Sequence, residues 1–184
     1  MAVSTPTTPG QILTSAYVNN NINSGLTYIS TTSLTSSGQN IAGAFSSTYT
    51  NYRIVLNEIV TSATNSGLGF RLGSSTTRTE YKYGGQNVNI GSGVVTVDRD
   101  AASNYALIGY TKGVDGTNVT FIFDLIGPQT ATRKMYSSQW SNGQYGGTLS
   151  GVDNLASAQT DINFMVTSGT LTGGTVTIYG YRKA

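Results

Sequence analysis

Apolar and polar residues alternate with a period of two along most of the chain, and each alternating block predicts a strand. In NYRIVLNEIV (51–60), Tyr52, Ile54 and Leu56 fall on one face, with Arg53, Asn57 and Ile59 on the other. GLGFRLG (67–73) aims Leu68, Phe70 and Leu72 inward. TNVTFIFDLIG (117–127) aligns Val119, Phe121, Phe123 and Leu125, and DINFMV (161–166) aligns Ile162, Phe164 and Val166. RKMYSSQWSNG (133–143) aligns Lys134, Tyr136, Ser138 and Trp140. NYALIGYTKG (104–113) is apolar on both faces, which predicts a central strand. In the last block, SGTLTGGTVTIYGYRKA (168–184), Gly173-Gly174 reads as a turn. Val176 and Ile178 then seal the core, while Tyr179 and Tyr181 point to the opposite face, where a neighbouring copy would cover them. With weaker blocks near 28–35, 79–83, 93–97 and 147–152, the count is about eight to ten strands. Asp115-Gly116 in VDGTN (114–118) suits a tight hairpin turn between two apolar runs.

The N-terminal stretch differs. Residues 1–11 hold two of the three prolines and no apolar period, which predicts an extended arm. Over 14–29, Val18, Ile22, Leu26 and Ile29 recur at helical spacing, with Thr14 or Ser15 as cap. Three consecutive asparagines and Gly25 make this helix marginal alone, so its stripe is expected to dock on another surface. Short strands at regular spacing with polar turns indicate an all-β fold, an antiparallel β-sandwich or jelly roll (28–184) behind an arm and short helix (1–27).

Composition agrees with that picture and removes most chemistry. Charged residues are only 10% of the 184, so the polar surface is Ser, Thr, Asn, Gln and Gly. The net charge of +2 is spread thinly, and the adjacent pairs Arg133-Lys134 and Arg182-Lys183 read as solvated strand ends rather than phosphate contacts. No nucleic-acid partner is expected. No apolar run reaches the length of ~20 residues that a membrane helix needs, and no basic-then-apolar signal opens the chain, so neither a membrane nor export by that route is expected. Histidine and cysteine are absent, which excludes a Ser-His-Asp triad, thiolate chemistry and imidazole metal ligation. Asp98 and Asp100 in DRD are the only close acidic pair, and a charged turn between strands accounts for them better than a weak Ca²⁺ site. GYTKGVDGTN (109–118) lacks the spacing of a phosphate-binding loop. The reading is of a non-enzyme with no cofactor and no metal.

Aromatic residues remain: twelve Tyr, five Phe and one Trp. In MYSSQWSNGQYGG (135–147), Tyr136, Trp140 and Tyr145 stand among Ser, Asn, Gln and Gly. Rigid rings interleaved with small polar groups suit an adaptable recognition surface, and sugar binding in particular. The competing reading places Trp140 in the core and Tyr145 beside a turn.

TPGQILTSAYVNNNINSGL (8–26) resembles the N-terminal segment of many tailed-bacteriophage virion proteins. FSSTYTNYRIVLNEIVTS (45–62) and GLGFRLG (67–73) are similar to a block recurring in phage tail-fibre and minor virion proteins. GTLTGGTVTIYGYRK (169–183) is similar to the way those chains end, whereas 80–160 matches only in texture. The resemblance implies a virion structural β-domain, commonly a homotrimer, without catalytic residues. On it, Ile12, Leu13, Val18, Ile22 and Leu26 are expected to dock to other virion proteins of the tail, with Tyr179 and Tyr181 serving assembly. Tyr136, Trp140 and Tyr145 are then candidates for host-surface glycan. A head-decoration protein clamping the capsid lattice is the alternative.

Overall fold

The structure, a computed structural model, describes residues 25–36, 39–73, 78–112 and 119–182. Twelve strands follow in chain order, two more than the upper sequence count. They are β1 (Leu26–Ser33), β2 (Gln39–Ile41), β3 (Asn51–Thr61), β4 (Gly67–Leu72), β5 (Tyr81–Asn89) and β6 (Val95–Ser103). The second six are β7 (Ala106–Tyr110), β8 (Val119–Ile126), β9 (Lys134–Ser141), β10 (Tyr145–Asp153), β11 (Ile162–Val166) and β12 (Leu171–Tyr181). All pair antiparallel, in an eight-stranded sheet ordered β1-β12-β3-β8-β9-β10-β5-β6 and a four-stranded sheet ordered β2-β11-β4-β7. Without the hairpins β5–β6 and β9–β10, which extend the large sheet, the remaining strands are ordered β1-β12-β3-β8 and β2-β11-β4-β7, the strand order of an eight-stranded jelly roll. Among the described residues no helix is long and apolar enough to cross a membrane.

The alternating blocks build the core. Tyr52, Ile54, Leu56, Phe121, Phe123 and Leu125 from the large sheet meet Leu68, Phe70, Leu72, Ile162 and Phe164 from the small one, all buried. Phe70 stacks on Phe123 with ring centres 5.0 Å apart and meets Tyr136 edge-on at 5.3 Å, so rings from the two sheets interlock at the centre.

Five expectations need correction. First, Leu26 opens a strand: β1 pairs Leu26 with Tyr181, so residues 26–29 are not helical, and the strand begins within the segment assigned to the arm. Helical spacing there was coincidental, because the pairing skips Ile29 and the β12 edge supplies hydrogen bonds that a lone helix lacks. Ile12, Leu13, Val18 and Ile22 lie outside the described residues. Second, Ile59 faces the core beside Leu56 instead of opposing it. A bulge at Glu58, whose φ is 55°, shifts the β3 register and inverts everything after it.

Third, Gly173-Gly174 is not a turn but lies inside β12, at a second bulge facing the first. A Cβ on Gly174 would stand 2.6 Å from Ile59 Cδ1, and φ there is +117°, so only glycine fits. The actual turn lies around Gly169. Fourth, β7 is buried throughout Ala106–Gly109 as its apolar run requires, yet it is the edge strand of the small sheet, covered by β9 and β10 of the large one. Residues 113–118, with their expected hairpin turn, lie outside the described residues; the flanking β7 and β8 belong to different sheets and do not pair. Fifth, Lys134 is no solvated strand end: it is 1% exposed, and its ammonium donates to the carbonyls of Leu155 and Ser157.

The closing strand otherwise behaves as its alternation demands. Val176 and Ile178 are buried, and Tyr179 and Tyr181 lie on the outer face. That face is already furnished by the chain itself. Tyr179 meets Tyr28 edge-on at 6.1 Å, while Tyr181 donates to Asp124 Oδ1 at 2.7 Å beneath the Arg53 guanidinium. Arg53 grips both Asp124 oxygens at 2.9 and 2.8 Å. Burial alone would raise the Asp124 carboxyl, but the Arg53 and Tyr181 bonds outweigh it and hold it below the usual range. Its contribution to stability is therefore complete above the unfolded carboxylate value near ~4 and is lost as pH falls through the lower folded value. Because the pair is more than a third exposed, that contribution is under about 1 kcal/mol. Thermal melts from pH 5 to 2 are expected to show a shallower acid limb in Asp124→Asn than in the parent; identical limbs would refute the assignment.

Candidate functional site

The large sheet extends past the small one at its β5–β6 end, and an open cavity of about 260 Å³ forms where β7 runs under that overhang. Asn87 of β5, Thr96 and Asp98 of β6, Tyr110 of β7, Trp140 of β9 and Tyr145 of β10 line it, with Asn65 at the rim. The Asp98 carboxylate is fixed from two sides: Tyr110 Oη donates to Oδ1 at 2.8 Å, and Asn87 Nδ2 donates to Oδ2 at 2.6 Å. Burial, and then the Asp98 bond, push the Tyr110 hydroxyl far above the ordinary tyrosine range, so it stays a donor at any physiological pH. Among the described residues no ion pair involves Asp98.

Trp140 carries the inner wall. One ring neighbour is Phe121, nearly parallel at 6.3 Å, and another is Tyr110, edge-on at 5.7 Å. The backbone of Gly109 runs against the indole so closely that a Cβ there would come within 2.4 Å of Trp140 Cγ. The side chain is 5% exposed, and its indole N–H has no acceptor among the described residues. A buried donor left unmet is costly, which makes the indole nitrogen the unexplained group of this wall. Tyr145 is positioned by Asn142, whose Oδ1 accepts from the Tyr145 amide at 2.7 Å and the Gln144 amide at 3.1 Å, while its Nδ2 donates to Tyr110 O at 3.3 Å.

Of the three aromatics singled out in 135–147, the structure brings two to this cavity. Trp140 and Tyr145 line it, but Trp140 is also core, as the competing sequence reading has it. Tyr136 is excluded: its ring is buried against Phe70 and its hydroxyl donates to Leu107 O at 2.7 Å, with nothing left for a ligand. The reason is alternation, since Tyr136, Ser138 and Trp140 share the inward face and only the last reaches the overhang. Asn87, Asp98 and Tyr110 were not anticipated as site residues. Asp98 and Asp100 lie in strand β6, not in a turn, and the signal was there to read. In VVTVDRD the valines point outward, Val95 and Val97 being 53% and 63% exposed, so Thr96 and Asp98 occupy the inward face. A strand that turns its polar side in needs something polar to meet.

Among the described residues no cluster of His, Cys, Asp or Glu is placed to hold a metal ion. The site can accept and donate hydrogen bonds around a carboxylate, next to aromatic edges, in a space suited to one small ring. Compared with known proteins, the chain matches no family model and no curated relative.

Proposed function

We propose that the chain is a non-enzymatic structural subunit of a tailed-bacteriophage particle, a short tail-fibre or tail-tip protein. The residues ahead of β1 dock it to other virion proteins, three copies assemble together, and the sandwich faces the host surface. The observation that carries the reading is the cavity beside Trp140: amide, hydroxyl and aromatic groups converge on it from five strands, as in a recognition site. The low-charge, cysteine-free composition and the resemblance of 8–26, 45–62, 67–73 and 169–183 to virion proteins support the particle setting.

A reconstruction of the particle that carries this protein is the test. Density for the sandwich at the tail tip, in multiples of three, is the expected result. Hundreds of copies on the head would replace it with the capsid-decoration role, and absence from the particle would overturn both. A monomeric mass for the intact chain in solution would remove the trimer.

A further inference from the structure

The cavity beside Trp140 has a chemistry more specific than general surface contact. Its volume of about 260 Å³ falls just under the range of about 300–1,000 Å³ usual for small-molecule sites, so it admits one ring and not a chain. Among the described residues its only charged lining residue is Asp98. The two bonds from Tyr110 and Asn87 use one lone pair on each oxygen and leave the others to accept. The donors that hold Asp98, Tyr110 and Asn87, are neutral and bring no counter-charge. The Trp140 ring forms an aromatic wall of the same cavity, with its indole N–H buried. A ligand that fits must donate hydroxyls toward Asp98, must be compact, and must carry no negative charge.

We infer that this cavity is a subsite for a single uncharged sugar ring, and that Asp98 sets its selectivity by repelling acidic sugars. The inference rests on the host-surface reading for its biological setting, while its chemistry stands on the cavity alone. A ring hydroxyl donating to Asp98 makes a charge-assisted bond, the stronger kind. A uronic-acid carboxylate in the same position would meet a like charge. Tyr145 and the rim residues Asn65 and Thr96 frame the ring without adding charge.

Trp140 is the only tryptophan in the chain, so its fluorescence reports on this cavity directly. The intact protein is titrated at pH 7 with methyl glycosides of glucose, galactose and N-acetylglucosamine, and with methyl glucuronide. At least one neutral glycoside is expected to give a saturable change in emission, with the glucuronide at least about tenfold weaker. Asp98→Asn keeps an acceptor and the side-chain shape, and is expected to shrink that gap to under about threefold. Trp140→Phe keeps a buried ring but removes part of the aromatic wall; followed by ligand-observed NMR, it is expected to bind roughly five- to tenfold more weakly. Thermal melts confirm that both variants fold. No saturable response to any neutral glycoside, a glucuronide that binds as well as they do, or an unchanged gap in Asp98→Asn would each overturn the inference. None of these outcomes bears on where the protein sits in the particle, so the two readings fail separately.

Discussion

Replacing Asp153 by alanine is expected to lower the free energy of unfolding by about 3–5 kcal/mol, the largest single loss we foresee in this chain. The end of the sandwich away from the cavity closes on a buried polar cluster. Asp153, the last residue of β10, is 3% exposed, and its Oδ1 takes the Arg78 guanidinium and, at 2.9 Å, the Leu155 amide. Directly across the ladder stands Lys134, the first residue of β9, whose ammonium is pushed down by burial against the pull of Asp153. Arg78 donates further to Leu72 O at 2.9 Å and lies over the Tyr81 ring at 5.1 Å, while Tyr81 Oη accepts from the Leu72 amide at 2.7 Å. Burial, ahead of the smaller influences around it, pushes that tyrosine up to about 12, so it too stays protonated.

Without the carboxylate, the buried Lys134 loses its counter-charge and Arg78 keeps only the more exposed Glu80, 3.3 Å from its Nε, which is the expensive way to break a buried pair. Urea denaturation reads the loss. Combining Asp153→Ala with Lys134→Met is expected to cost less than the sum of the two single changes, because the second removes a cation that the first left unbalanced. Strict additivity would show that the cluster is not coupled, and a loss under about 1 kcal/mol for Asp153→Ala would show that it is not buried in solution.

Gly109→Ala is expected to cost about 3 kcal/mol or more and to dismantle the cavity at the same time. Two strains add. The residue sits at φ +152°, where L side chains rarely go, and the new methyl would lie 2.4, 2.6 and 2.7 Å from Cγ, Cδ1 and Cδ2 of Trp140. The indole cannot retreat, because Phe121 stands beside it. Either β7 lifts away from the large sheet or the indole is expelled toward the overhang. Both expose Trp140, so a red-shifted emission should accompany the lower melting temperature. An unshifted spectrum with parental stability would refute the packing described here. The same close fit explains why Trp140→Ala is a poor probe of binding: emptying a core aromatic costs about 3–5 kcal/mol by itself, so lost binding would report lost folding.

Much of the fold was legible because alternation is a local property. Phe121, Phe123 and Leu125 point inward for the reason visible in the sequence, and so do Leu68, Phe70 and Leu72. Legibility failed where the chain breaks its own period. The bulges at Glu58 and Gly174 are long-range adjustments of one strand to another, and nothing within either strand announces them. Leu26 was misread because a spacing of four, four and three fits a helix until a partner edge is supplied. The site was legible in part. Trp140 and Tyr145 drew notice by their polar company, whereas Asn87, Asp98 and Tyr110 reach the cavity from strands whose adjacency only the sheet order creates. Lys134 is the opposite case, a cation that composition assigns to water and the fold places in the interior.

The position of β12 has a further consequence. It is the last of the twelve strands among the described residues, yet it lies inside the large sheet, between β1 and β3. Until it emerges, the first strand has no ladder to join and β3 shows an unpaired edge. Such pairing over more than a hundred residues is slow to form and cannot proceed piecemeal along the nascent chain. Synthesis thereby acquires a built-in inspection. A polypeptide broken off before residue 171 lacks the strand that pairs β1 and completes β3, and its open edges leave it to proteases.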